Sequence, residues 1–287
     1  MKTLVIGGTG TVGSQVVNKL LSANHEVSVL TTSSEKAAKL PQGVKAYIGS
    51  LEYQESLSAA FKDVDNVFML NAHTQTEVYQ GLNAIAEAVA NGVKRFVYQS
   101  IHQARNGDFI DHFKSKVMIE KALFNSGLNY VIIAPNNFYQ NDFWYKESVT
   151  RYQLYNQPIG AVGLSRVDVR DIAEAVVKVL ETDKYDRKTI ALAGPEALTG
   201  ESTAQTLTEV LGYPVTYIGN DLKVFRDAFS NWVPAWMLED WAEMYQFFQD
   251  KGLRATEQEL ADLRELLGRE PISYKEFLTE HINVFAA

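Results

Sequence analysis

Short runs of consecutive apolar residues alternate along the chain with longer stretches in which apolar residues recur every three or four positions. Residues 4–6 form such a run, and 27–30, 45–48, 66–70, 95–99 and 130–134 repeat it. Between them, residues 11–23 carry Val12, Val16, Val17, Leu20 and Leu21 at helical spacing. Residues 75–91 are predicted helical, with Leu82, Ile85, Ala86 and Val89 on the inner face, and residues 112–125 form a third helix. Gly92 and Gly127 stand where the last two should stop. Continuous apolar strands that alternate with helices imply a parallel sheet covered on both faces. Right-handed crossovers then make a doubly wound sheet the economical topology.

The pattern loosens after about residue 140. Strand-like runs recur at 160–164, 189–192 and 215–218, and helical runs at 168–180, 202–211, 234–248 and 256–267. All four tryptophans, Trp144, Trp232, Trp236 and Trp241, lie in this second half. No low-complexity linker and no internal repeat is visible. The expected fold class is α/β, a doubly wound parallel sheet (Rossmann-like) with a smaller, aromatic-rich C-terminal cap. Residues 1–150 are expected to form the sheet domain, and 151–287 a mixed segment that returns to the sheet and caps its substrate side.

The 287 residues carry a formal charge of −8 and no cysteine, and 46% are apolar. Such a chain buries a substantial core, so disorder is excluded. Net negative charge argues against non-specific nucleic-acid binding. Without cysteine there is no disulfide, thiolate metal site or cysteine nucleophile. No apolar run approaches the roughly 20 residues of a membrane span. The apolar part of residues 1–7 is too short for a signal peptide and reads as a buried strand. A cytoplasmic protein, monomeric or homodimeric, is expected.

Gly7-Gly8-Thr9-Gly10-Thr11-Val12-Gly13 falls directly between the first strand and the first helix. One glycine allows the tight turn, one lets backbone approach a pyrophosphate, and one lets helix and sheet pack closely. The helix N-terminus offers free N–H groups and the positive end of its dipole. Gly7, Thr9, Gly10, Thr11, Val12 and Gly13 are therefore expected to hold a dinucleotide, which makes residues 1–150 an NAD(P)-binding domain. The second strand ends Thr31-Thr32-Ser33-Ser34-Glu35-Lys36, with no acid at its tip to bind the 2′-hydroxyl of NAD. Thr31, Thr32 and Lys36 are candidates for a 2′-phosphate, and the absence of a repelling carboxylate makes NADP preferred to NAD. The alternative is a helix start with Ser33 or Ser34 as N-cap.

Several further segments resemble the NmrA-like branch of the atypical short-chain dehydrogenase/reductases. Gly49-Ser50-Leu51 resembles that branch's third-strand exit, although Ser50 replaces its Asp. His112-Phe113-Lys114-Ser115-Lys116 with Glu120, Pro135-Asn136-Asn137-Phe138-Tyr139-Gln140-Asn141 and Val167-Asp168-Val169-Arg170-Asp171-Ile172-Ala173 are similar to three more of its motifs. Leu267-Gly268-Arg269-Glu270-Pro271 fits its C-terminal pattern. The aromatic-rich last third looks most like bacterial azo-dye, triphenylmethane-dye and quinone reductases.

The resemblance implies roles. Ser100 and Lys116 stand for the Ser and Lys of the short-chain catalytic set, and His112 occupies the Tyr position. His112 is either a proton donor or a helix-start residue bonded to backbone. Lys116 is expected at the nicotinamide ribose, in an ordinary i,i+4 pair with Glu120. Ser50, Leu51, Asn71, Ala72 and His73 are expected along the cofactor, and Pro135, Asn136, Asn137 and Phe138 at its nicotinamide end. His102, Tyr139, Phe143, Trp144, Trp232 and Trp236 are expected to wall a flat apolar pocket. No spacing suggests a metal site. The implied activity is hydride transfer from NAD(P)H to a quinone, azo or similar conjugated aromatic acceptor. The alternative is a non-catalytic dinucleotide-binding sensor. A sugar-nucleotide epimerase is a poorer third, because it would keep the Tyr-x-x-x-Lys pair.

Overall fold

Six consecutive strands pair in parallel. They are β1 (Lys2–Ile6), β2 (Glu26–Thr31), β3 (Lys45–Ile48), β4 (Asn66–Met69), β5 (Arg95–Gln99) and β6 (Tyr130–Pro135). The computed structural model describes residues 1–285. Helices α1 (Thr11–Ser22), α2 (Ser34–Ala37), α3 (Ser58–Phe61), α4 (Glu77–Ala90) and α5 (Asp111–Asn125) alternate with these strands. Gly92 and Gly127 follow α4 and α5 with φ of +65° and +79°, the left-handed stops read from the sequence.

The chain divides into two units that interleave in sequence. The first comprises Met1–Arg105, His112–Ala134 and Val169–Ile190; the second comprises Asn106–Asp111, Pro135–Asp168 and the residues from Ala191 onward. The expected break at 150–151 therefore falls inside one unit. Further along the chain lie α6 (Lys146–Tyr152), β7 (Leu154–Tyr155), α7 (Val169–Leu180), β8 (Thr189–Leu192), α8 (Gly200–Leu211) and β9 (Thr216–Tyr217). The strand order is β3-β2-β1-β4-β5-β6-β8, a Rossmann-like sheet. The chain reverses direction across the sheet between β1 and β4, so a crevice opens at their C-terminal ends.

In the first unit, α1 and α7 pack side by side, and Lys19 on α1 reaches Glu174 on α7 at 3.3 Å. The inner face of α4 differs from the expected one. Ile85 is buried as expected, but Leu82, Ala86 and Val89 point outward, and Gly81, Ala84 and Ala88 are buried in their place. The cause is Ile119 on α5, since a Cβ on Gly81 would stand 2.6 Å from its Cγ1. So close an approach leaves room only for glycine at position 81.

In the second unit, β7 and β9 form a separate two-stranded parallel pair. The remaining helices are α9 (Leu222–Phe229), α10 (Ala235–Lys251), α11 (Glu257–Leu267), α12 (Tyr274–Glu280) and α13 (Ile282–Phe285). The strand expected at 160–164 does not form. Gly160 and Gly163 take φ of +74° and +108°, which breaks the extended run. Only Leu164 bridges, to Leu198 and Leu253. Among the described residues no helix is long and apolar enough to cross a membrane.

Candidate nucleotide site

The turn from β1 into α1 is closed by its glycines. Gly7 has φ +83°, and a Cβ there would stand 2.3 Å from the Leu70 carbonyl oxygen. A Cβ on Gly13 would stand 2.1 Å from the Gly7 oxygen. The Gly10 N–H donates to the Gly7 oxygen at 3.0 Å. Gly10 is the N-cap of α1, so no side chain caps the helix, and its first turn contains no acid. By contrast, α8, α11 and α12 all begin with capping boxes. The first N–H groups of α1 are left for an anion. These residues fit a dinucleotide pyrophosphate.

Beside this turn is a cleft of about 300 Å³, lined by Gly8, Thr9, Ser14, Asn18, Lys36 and Lys39 among others. Ser33 is the N-cap of α2, its hydroxyl accepting from the Lys36 N–H at 3.3 Å. Thr31 is buried and accepts from the Ser33 N–H, while Thr32 is exposed. Lys39 pairs with Glu35 at 2.6 Å. Among the described residues Lys36 has no acidic partner. Ser50 closes its own turn, with its hydroxyl accepting from the Glu52 N–H, and Leu51 lies in the core.

One face of α5 presents His112, Lys116 and Glu120, all buried. The His112 ring lies 4.9 Å from that of His73. The Lys116 ammonium lies 2.6 Å from Oε1 of Glu77, the first residue of α4, and 3.5 Å from Oδ1 of Asn71. It also stands 5.5 Å from the centre of the Tyr98 ring. Glu120 accepts from the Ser100 hydroxyl at 2.6 Å and pairs with Arg105 at 3.4 Å. The expected Lys116–Glu120 pair is thus replaced, because each residue finds a better placed partner on another element. Burial, with Glu77 and Glu120 nearby, pushes the Tyr98 hydroxyl well above its ordinary pKa. Ala72 is exposed and His102 is buried.

The second unit carries the segment after β6. Asn136 is buried and donates from Nδ2 to the Leu253 carbonyl at 2.6 Å. Asn137 Oδ1 accepts from Arg166 Nε at 3.1 Å, and the Phe138 carbonyl accepts from Arg166 Nη2 at 2.9 Å. Arg166 is fully buried and held by Asp142. Tyr139, expected on a pocket wall, is instead core; its ring packs on Tyr274 and Phe277. Phe143 joins Phe277 and Phe285. Trp144 is 62% exposed and contacts Phe229 and Trp241, while Trp232 is 84% exposed. Trp236 is partly exposed.

The sequence profile of the NmrA-like family matches residues 1–278. The chain belongs to the NmrA-like family. An NAD(P)H azoreductase of Xenophilus azovorans is 28% identical over 286 residues, covering 99% of each chain. The NADPH complex of a quinone oxidoreductase from Escherichia coli superposes with a TM-score of 0.87 at 22% identity, over 98% of this chain and all of that one. NmrA, a negative transcriptional regulator solved with NADP, superposes at 0.81 and 16% identity, over 99% of this chain and 95% of that one. The two structural likenesses establish the shared fold.

Within this NmrA-like chain the first unit brings together the glycine turn, Asn71, His73, Ser100, His112 and Lys116. Residues 135–138 and the aromatics belong to the second. Sequence reasoning passed over Glu77 and the Arg166–Asp142 pair. Glu77 looks like the acid that commonly opens a helix, so only its 1% side-chain exposure sets it apart.

Proposed function

We propose that the chain is an NAD(P)H-dependent reductase that delivers hydride to a quinone, azo or similar conjugated aromatic acceptor, with NADP(H) as the preferred nucleotide. The observation that carries this reading is the α1 N-terminus, which has neither a side-chain cap nor an acid behind its glycine turn. The similarity to the Xenophilus azovorans azoreductase supports the reaction class. In this reading residues 1–150 provide most of the nucleotide site, and 151–287 the substrate-side cap.

The bound nicotinamide would supply the hydride. The α1 N–H groups hold the pyrophosphate, and Lys36, facing the cleft beside Thr9, holds the 2′-phosphate. Lys116 donates to the nicotinamide ribose. Asn137 and Phe138, held by Arg166, line the carboxamide end. Trp144 and Trp232 present flat apolar surface to a planar acceptor. His112 stands where a proton donor would be required, and a conjugated acceptor makes little demand on it at the hydride step. The protein would act in the cytoplasm as a monomer or homodimer, on a small aromatic acceptor and on no nucleic acid or membrane.

The test is a fluorescence titration with NADPH and NADH, followed by absorbance loss on adding a small quinone or an azo dye. Binding with acceptor-dependent oxidation is expected. Good turnover of simple ketones with none of quinones would overturn the reading. The second reading, a dinucleotide sensor, is favoured by two observations. The Ser100 hydroxyl is committed to Glu120 and a histidine replaces the usual tyrosine. Tight binding without oxidation by any acceptor would establish it.

A further inference from the structure

We propose that Glu77 is the positioning residue that fixes the Lys116 ammonium for its ligand, an inference that rests on the nucleotide-binding reading above. A lysine side chain is long and loses much rotamer freedom when it is held at one point. Something must therefore hold it there before the nucleotide arrives. The residue expected to do so, Glu120 one turn along α5, is engaged by Ser100 and Arg105.

Glu77 takes its place from a different helix. Its carboxylate lies 2.6 Å from Lys116 Nζ, and the two side chains are 1% and 8% exposed. Asn71 closes the arrangement: Oδ1 faces the ammonium at 3.5 Å, and Nδ2 donates to the Glu77 carbonyl at 3.1 Å. The segment after β4 is thereby tied to the first turn of α4. One turn further on, the Gly81–Ile119 approach sets the distance between α4 and α5. Glu77 and Lys116 thus face one another from two helices with no slack between them.

The carboxylate acts on the ammonium as a buried counter-charge, and of the three N–H donors of an ammonium Asn71 accepts one at 3.5 Å. Donors remain for a ribose hydroxyl. The pair also offers the ligand a neutral site, because the buried carboxylate balances the buried cation.

The test is a double-mutant cycle on the full chain, with NADPH affinity read by fluorescence and fold by circular dichroism. Glu77→Gln is expected to weaken NADPH binding about tenfold, raising KM for NADPH and leaving KM for the acceptor unchanged. In a Lys116→Met background the same change is expected to have no further effect, since Glu77 acts only through Lys116. If Glu77→Gln does not fold, Glu77→Asp decides: it keeps the charge, draws the carboxylate back, and should weaken binding about threefold. Wild-type affinity with either foldable variant, or effects that simply add to those of Lys116→Met, overturns the inference alone. A wild-type chain that binds no nicotinamide nucleotide overturns the nucleotide reading and the inference together.

Discussion

Arg166 and Asp142 form an ion pair sealed from solvent, with Nη2 at 2.8 Å from Oδ1 and Nη1 at 3.1 Å from Oδ2. Burial works against the guanidinium charge, but Asp142, with Tyr155 and Tyr274, outweighs it and raises the Arg166 pKa. Tyr274 donates to Asp142 Oδ2 at 2.6 Å and Tyr155 to Oδ1 at 3.0 Å, so the carboxylate is satisfied on both oxygens. Removing one member leaves the other charged and buried. Asp142→Ala is expected to cost about 3–5 kcal/mol, seen as a lower denaturant midpoint at unchanged slope. A loss below about 1 kcal/mol would mean that the pair behaves like a surface one.

Gly13→Ala tests the turn itself. The added Cβ would meet the Gly7 oxygen at 2.1 Å and the Gly8 Cα at 2.8 Å, both backbone atoms. The turn must open to admit it, so NADPH affinity should fall by at least about tenfold while the helical signal persists. Affinity equal to wild type would show that the turn does not set the pyrophosphate position.

Nucleotide preference should follow Lys36 more than its neighbour. Lys39 already pairs with Glu35, whereas Lys36 lines the same cleft. Lys36→Met is expected to weaken NADPH about tenfold and NADH hardly at all; Lys39→Met should do less to either. Parallel titrations with the two nucleotides decide, and equal losses for both would remove Lys36 from the 2′-phosphate.

An acceptor that stacks on the exposed tryptophans should feel Trp144→Ala. Stacking of aromatic pairs contributes about 0.5–1.5 kcal/mol, so acceptor KM should rise by about twofold to tenfold, with KM for NADPH unchanged. Steady-state kinetics with a quinone in excess nucleotide measures this. An unchanged acceptor KM would assign Trp144 to another role.

Alkaline pH should destabilise the fold through its buried tyrosines. Burial pushes Tyr217 up from 10.0 to about 12, and burial likewise raises Tyr155, Tyr274 and Tyr145 well above their ordinary range. Each folded-state value lies above its unfolded one, so the protonated form favours folding. That contribution is complete below pH ~10 and is lost as pH rises through the folded-state values. Melting temperature should therefore fall from about pH 10, with phenolate absorbance appearing together with unfolding. Phenolate formation well ahead of unfolding would contradict this.

How much was legible in the sequence depended on how local the cause was. The turn could be read because one of its reasons, Gly13 meeting the Gly7 backbone, lies within seven residues, although the Leu70 carbonyl that Gly7 meets does not. The strands could be read because continuous apolar runs leave few alternatives. The inner face of α4 could be read only at Ile85, since Gly81 is selected by Ile119, a residue on another helix. The expected Lys116–Glu120 pair was the reasonable local answer, and it failed because Glu77 and Ser100 arrive from distant segments. Arg166 gave no sign at all. It stands just before the motif that begins at Val167 and outside it, and its partner Asp142 stands 24 positions away.

The alternation of segments between the two units bears on how the chain is made. A ribosome that has released residues 1–150 has delivered β1 to β6 without α7, the helix that packs on α1, and without the edge strand β8. Apolar sheet surface stays open until synthesis passes residue 190, when β8 enters the sheet. The second unit must wait for its last stretch, from Ala191 onward, before it is complete, although residues 135–168 already hold the Arg166–Asp142 pair. Neither unit can be transplanted as a single continuous cassette, and a nascent chain stalled midway is an aggregation hazard rather than half a working protein.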